Sequence, residues 1–395
     1  MLKRCVFALV GAIVLGALVV TLAPSLDGLA PTAATAEGQR RGAGGQRRAD
    51  ESPLTVEEYT PRSTLVVDEH PVPRAAFPVV DVHSHHRALS EREWAGVVQE
   101  MDELNLQVLV NLSGGTGPRL ARQITTVRDS AHPDRMVFFA NLDFGRGVYP
   151  GFGERAAAQL EADVGAGAVG LKFFKNFGIS VRDEQGERVP VDHAELDPVF
   201  EACARLGIPV LIHVGEPSEF YEPVDALNER WLELTLLPER RLPASRYPGF
   251  EAMMGERDRL FARHPQTTFI AAHMGWHAND LARLSELLDR LPNVYIETGA
   301  ILYDLGRQPR AAREFFLAYQ DRVLFGKDSY RPNEFPYYWR VFETADEYFD
   351  YYRRYHAFWQ LYGMDLPDEV LRKLYYANAL AVVSGISRDQ FMTSR

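Results

Sequence analysis

The chain of 395 residues carries 43 lysines and arginines against 54 aspartates and glutamates, a formal charge of −11. Its first 50 residues hold six basic and three acidic side chains, so the remainder is more acidic still, which excludes a nucleic-acid-binding body. A hydrophobic content of 46% is ample for a large core, and two cysteines, Cys5 and Cys203, are too few for a disulfide framework.

Residues 1–36 read as an export signal. Lys3 and Arg4 give a basic start, Cys5 to Ala23 is apolar and free of charge, and Ala34-Thr-Ala36 offers a small-x-small cleavage site. The run is also just long enough to span a bilayer, so the alternative to a periplasmic or secreted protein is one anchored by residues 5–23. Membrane contact is expected through that segment alone. Residues 37–54 read as a disordered linker, because up to Ser52 they hold no apolar side chain larger than alanine. No second linker interrupts residues 55–395, which predicts one large domain.

The first strand-like run of that domain, Val79 to Val82, ends in His83-Ser-His85. Two histidines at i and i+2 of an extended segment point the same way, about 6 to 7 Å apart at Cα, so both imidazoles reach one metal ion at about 2 Å. Seven further apolar runs follow: Val108 to Leu112, Met136 to Leu142, Ala168 to Phe174, Pro209 to Val214, Thr268 to His273, Val294 to Thr298 and Val323 to Gly326. Between them, segments such as Glu91 to Leu104, Arg119 to His132, Glu154 to Val164, Leu196 to Leu206, Phe250 to His264, Asp280 to Leu291 and Ala311 to Tyr319 show helical spacing.

Continuous rather than alternating apolar runs mean strands buried on both faces, as a parallel sheet requires. Eight β-then-α units predict an α/β fold: a closed (β/α)8 TIM barrel with long βα loops and a C-terminal helical extension. A doubly wound open sheet would carry a Gly-rich phosphate turn after its first strand, where this chain has His-Ser-His-His.

A barrel of this kind keeps its chemistry at the C-terminal strand ends. There the sequence puts His83 and His85 on strand one, Lys172 on strand four, His213 on strand five, His273 on strand six and Asp328 after strand eight. His86 and His277 adjoin these motifs. The loop Glu216 to Gly249 is acidic and aromatic, and the segment after strand eight adds Tyr330, Arg331, Tyr337 and Trp339. Such walls suit a ring-bearing or carboxylated small molecule, with Arg331 as a binding candidate, or else pack the loops onto the rim. The aromatic stretch Tyr348 to Tyr362 predicts a helix buried against the barrel.

Asp81-Val-His-Ser-His85, Gly170-Leu-Lys172, Ile212-His-Val-Gly215, Ala272-His-Met-Gly275, Phe325-Gly-Lys-Asp328 and Leu374-Tyr-Tyr-Ala-Asn-Ala-Leu380 occur in that order. Over roughly residues 76–385 the chain thereby resembles the amidohydrolase superfamily, and within it the amidohydrolase-related branch that includes aminocarboxymuconate-semialdehyde decarboxylase. The resemblance implies a TIM barrel with one divalent metal, commonly zinc and in some members manganese, bound by His83, His85, His213 and Asp328. It also implies that His273 stands beside the metal water as a catalytic residue. A catalytic zinc brings water to a pKa of about 7, and Asp328 can accept the proton while His273 polarises the departing group. The bland readings are a helix N-cap for Asp328 and a hydrogen-bonded core histidine for His273.

In binuclear members a lysine after strand four is carboxylated and bridges two metals. An interior Lys172 ammonium needs an anion, and charge compensation favours a substrate carboxylate or an Asp/Glu partner over that bridge. The expected activity is metal-dependent hydrolysis of a small amide, ester or lactone. The alternatives are a non-oxidative decarboxylase of an aromatic or unsaturated carboxylic acid and an exported binding protein on a decayed barrel. A missing ligand would mark the last, and none is missing. Self-association is left open.

Overall fold

Each of the eight predicted apolar runs is a strand in the computed structural model, which describes Leu54, Thr55, Glu58, Tyr59 and residues 61–391. The export-signal reading of residues 1–36 and the linker reading up to Pro53 lie outside the described residues. Met1–Thr60 and Pro61–Arg395 are separate compact units. In the first, the carbonyl of Thr55 accepts from the amides of Glu58 and Tyr59 at 3.2 and 3.1 Å. No helix among the described residues is long and apolar enough to cross a membrane.

In the second unit, strands and helices run β1 (Val79–Ser84), α1 (Glu91–Leu104), β2 (Leu106–Asn111), α2 (Gly117–Arg128), β3 (Met136–Asn141), α3 (Phe152–Gly165), β4 (Gly170–Phe173) and α4 (Asp197–Leu206). They continue with β5 (Val210–Ile212), α5 (Trp231–Leu236), α6 (Phe250–Arg263), β6 (Phe269–Ala271), α7 (Leu281–Arg290), β7 (Val294–Glu297), α8 (Leu302–Arg307), α9 (Pro309–Ala318), β8 (Val323–Leu324), α10 (Phe335–Glu343), α11 (Asp368–Arg372) and α12 (Asn378–Val382). The strands are parallel and ordered β1 to β8. The amide of Val82 donates to Phe325 O at 2.9 Å and that of Asp328 to His83 O at 2.6 Å, so the first and last strands meet and close a TIM barrel.

The helices form for local reasons. Ser90 and Glu93 make a reciprocal capping box at the start of α1, worth about 1 kcal/mol, and Trp94, Val98, Met101 and Leu104 make one buried stripe at helical spacing. Each such side chain contributes about 1.5–3 kcal/mol when fully buried. Alternate strand residues, among them Val80, Val82, Val108, Val110, Leu211 and Ile270, pack with Val382 and Ile386 of the C-terminal segment, while the others face the helical layer.

Two expectations are corrected. Tyr348 to Tyr362 is not a helix: it is an irregular strap pinned by a Phe349–Leu361 bridge at 3.0 and 2.8 Å, with Tyr348 in left-handed backbone at φ 57°. Phe349 and Tyr351 are buried and Tyr351 and Trp359 pack on Tyr303, while Tyr348 and Phe358 stay exposed, an arrangement that needs no helical period. And β6 ends at Ala271, so His273 stands in a turn beyond the strand.

Candidate metal centre

β1 delivers its two imidazoles with their backbone already fixed. Asp81 is 1% exposed, and its Oδ1 accepts from the amides of His83 at 3.0 Å and Lys327 at 3.1 Å, tying the end of β1 to the residues after β8. Burial pushes its carboxyl up to about 8. Just beyond, Asn111 of β2 accepts from the amides of His86 and Ser113 and donates to His86 O, which fixes the chain leaving β1. Ser113 Oγ lies 2.8 Å from His85 Nδ1 and orients that ring, while His86 turns aside to Ser84 Oγ at 2.8 Å.

The first two predicted ligands and Asp328 converge. His83 Nε2 and His85 Nε2 are 3.2 Å apart, and Asp328 Oδ1 lies 3.6 Å from the first and 3.4 Å from the second. His83 Nδ1 donates to the carboxylate of Glu297 at 2.9 Å, which leaves its Nε2 bare. Two imidazole nitrogens and a carboxylate oxygen that face one another can hold a cation. Ligands about 2.0–2.1 Å from a tetrahedral ion stand roughly 3.3 Å apart, so the observed spacing fits a divalent metal. Burial, reinforced by Lys172, holds His83 well below the ordinary imidazole range. Burial opposes ionisation of Asp328, but the surrounding imidazoles, His83 foremost, hold it well below the usual carboxylate range. Asp328 caps no helix: it sits at φ 80°, bonded to His83 O.

Glu297, at the end of β7, is the functional residue that sequence reasoning missed. It is fully buried; Oε1 accepts from His83 Nδ1 and from the amide of His273 at 2.6 Å, and Oε2 from the amide of Gly299 at 2.5 Å. A Cβ on Gly326 would lie 2.1 Å from Oε2, so the glycine of Phe325-Gly-Lys-Asp328 makes room for this carboxylate. An acid ending an apolar run at a barrel strand's C-terminus was the available signal.

His273, Met274, Gly275 and Trp276 form a left-handed turn at φ 58°, 51°, 61° and 56°. Such backbone costs about 1–2 kcal/mol per non-glycine residue and persists only where tertiary contacts impose it. Glu297 accepts the amide at its start, and the buried guanidinium of Arg257 donates to Gly275 O at 2.6 Å near its end. Arg257 also reaches His277 Nε2 at 3.3 Å, and burial followed by that charge pushes His277 down to about 2.

The turn sets a chain of tautomers. His273 Nδ1 donates to Gly299 O at 2.7 Å, and burial pushes this ring down to about 3, so its Nε2 is bare and accepts from His213 Nδ1 at 3.2 Å. His213 Nε2 is thereby left a bare lone pair. It is buried, has no hydrogen-bond partner and lies 3.7 Å from Glu216 Oε2. His213 is thus not drawn into the trio, yet it offers a ligand atom. His273 has both ring nitrogens engaged.

Lys172 is 1% exposed, and the hydrogen-bond partner of its ammonium is His83 Nε2 at 3.4 Å. Among the described residues no carboxylate forms a close ion pair with it; burial pushes the ammonium down to about 8, against the pull of Asp328 and then Glu297. It lines a cavity of about 420 Å³ with Phe144, Phe174 and Asn176, and Phe174 stacks 5.7 Å from His85. Arg331 is exposed, paired with Glu334 at 4.0 Å, and joins neither the trio nor this cavity. Lys327 is buried and donates to Glu334 Oε2 at 2.5 Å.

Residues 128–384 match the sequence model of a family described as Amidohydrolase. No curated protein matches the chain. Among solved structures it is similar to a TIM-barrel protein from Bordetella bronchiseptica, with 15% identity over 79% of this chain and 100% of that one at TM-score 0.49. It is also similar to a 4-oxalomesaconate hydratase from Rhodopseudomonas palustris (15%, 78% and 96%, TM-score 0.48). A dihydroxybenzoic acid decarboxylase from Polaromonas sp. JS666, with bound manganese and 2-nitroresorcinol, gives 14%, 80% and 99% at TM-score 0.47. These likenesses extend no further than the barrel.

Proposed function

The chain belongs to the amidohydrolase family of metal-dependent enzymes, and we propose that it hydrolyses a small carboxylated amide, ester or lactone. The observation that carries this reading is Asp328, whose Oδ1 stands 3.4–3.6 Å from both imidazole nitrogens while its side chain stays 35% exposed. A zinc ion held by His83, His85 and Asp328, with His213 as a further ligand and manganese as the alternative metal, would supply Lewis acidity and hydroxide near neutral pH. Asp328, already ionised, accepts the proton of the attacking water and returns it to the leaving group. Glu297 keeps His83 oriented, and His273 keeps the bare nitrogen of His213 turned away from itself. Lys172 holds the substrate carboxylate, with Phe144 and Phe174 walling the adjacent cavity.

One observation favours a second reading. The Lys172 ammonium lies 3.4 Å from His83 Nε2 without a carboxylate partner, so a substrate carboxylate held there is itself at the reactive centre, as non-oxidative decarboxylation needs. Metal-loaded full-length protein, assayed on carboxylated amides, esters and lactones and on aromatic and unsaturated carboxylic acids, decides between them. Cleavage without carbon dioxide release is expected. Carbon dioxide release without cleavage overturns the hydrolase in favour of the decarboxylase, and neither product from protein holding its metal overturns both.

A further inference from the structure

A second cleft shares no lining residue with the cavity beside Lys172. It measures about 150 Å³ and lies between α1, α2 and the chain leaving β1, where Arg87, Trp94, Asn111, Arg119, Arg122 and Gln123 line it. Arg119 and Arg122 are three residues apart and share a face of α2. The described residues supply no ion pair or hydrogen bond to any of the three guanidinium groups. Elsewhere in this acidic chain arginines are taken up, as Arg188 is by Glu256, Arg283 by Glu251 and Arg307 by Glu229. No aspartate or glutamate lines the cleft.

The three guanidinium groups can only donate, and no acidic side chain faces them across the cleft. Trp94, 1% exposed, closes the cleft on its inner side.

We propose that this cleft binds a small oxyanion, of the phosphate or short dicarboxylate type. Its volume equals about five waters at about 30 Å³ each, which matches an anion of five to seven non-hydrogen atoms. Guanidinium forks match oxyanion geometry bidentately. The wall shared with the metal centre is Asn111, which holds the backbone of His86 on one side and the amide of Ser113 on the other. The anion thus rests against the residue that fixes the chain carrying His83 and His85.

Calorimetric titration of phosphate, and separately of malonate, into metal-loaded full-length protein at constant ionic strength tests this. One site is expected, weakened at least about tenfold by Arg119→Gln/Arg122→Gln. Both arginines are exposed, so the double variant keeps its melting temperature. Tighter binding of one anion names the source. Undiminished affinity in the double variant overturns the site, as does the absence of binding at about 10 mM in wild type. Binding that survives the arginine changes but disappears in Asp328→Asn assigns the anion to the metal centre and overturns it equally.

Discussion

Glu297 and His83 form a fully buried pair in which the imidazole Nδ1 donates to the carboxylate at 2.9 Å. The bond fixes the tautomer, so the Nε2 lone pair points into the site before any ion arrives. Glu297→Gln can present an N–H where an acceptor is needed, and is expected to weaken metal binding about 10–100-fold. Competition against a chelator measures this. Unchanged affinity would reduce Glu297 to an anchor for the amides of His273 and Gly299.

Asp328 stands in left-handed backbone, which asparagine tolerates, and it caps nothing. Asp328→Asn therefore keeps the fold and removes the proton acceptor. Turnover is expected to fall about 10²–10⁴-fold, with the melting temperature moved little. Retained turnover in a metal-loaded variant would remove Asp328 from the chemistry.

Lys172→Met fills a similar volume without the charge. One metal ion per chain is expected in both wild type and variant, with anionic substrates bound about tenfold or more weakly and neutral analogues unaffected. Two ions in wild type falling to one in the variant would instead identify Lys172 as a carboxylated bridge.

His356 lies on the irregular strap, 6% exposed, with neither ring nitrogen in a hydrogen bond and Nε2 3.4 Å from the buried Glu233 carboxylate. Burial, followed by Arg230, Arg353 and Arg240, pushes it down to about 2. The folded state refuses a proton that the unfolded state takes up near pH 6.5, so stability is lost as pH falls below that value. His356→Phe removes this term. Relative to wild type it is expected to gain about 2 kcal/mol between pH 8 and pH 5 in denaturant titrations, and an equal change at both pH values would refute the assignment.

The strands were legible because parallel strands are covered on both faces and read as unbroken apolar runs, as at Val79–Val82 and Phe269–Ala271. His83, His85 and Asp328 were legible because strand ends are where such a barrel exposes its chemistry. Glu297 was not, since its meaning depends on a histidine 214 residues away. The turn at His273 was not legible either. Local preference opposes left-handed backbone at Met274 and Trp276, and only the distant Glu297 and Arg257 impose it. The strap Tyr348 to Tyr362 misled because those rings that do pack, Tyr351 and Trp359 among them, do so through contacts with Tyr303, whatever the backbone does.

The closure of β8 on β1 would make a bound ion a reporter of the finished barrel. Asp81 and Lys327 meet across 246 residues, and the same seam joins His83 to Asp328. A nascent chain that has emerged only as far as β7 holds the imidazoles without the last carboxylate and without the strand that seats it. Contacts of such long range form late and slowly. An ion held by His83, His85 and Asp328 would add its binding free energy only once this seam has closed, and so would favour the closed barrel over partly folded forms of the same chain.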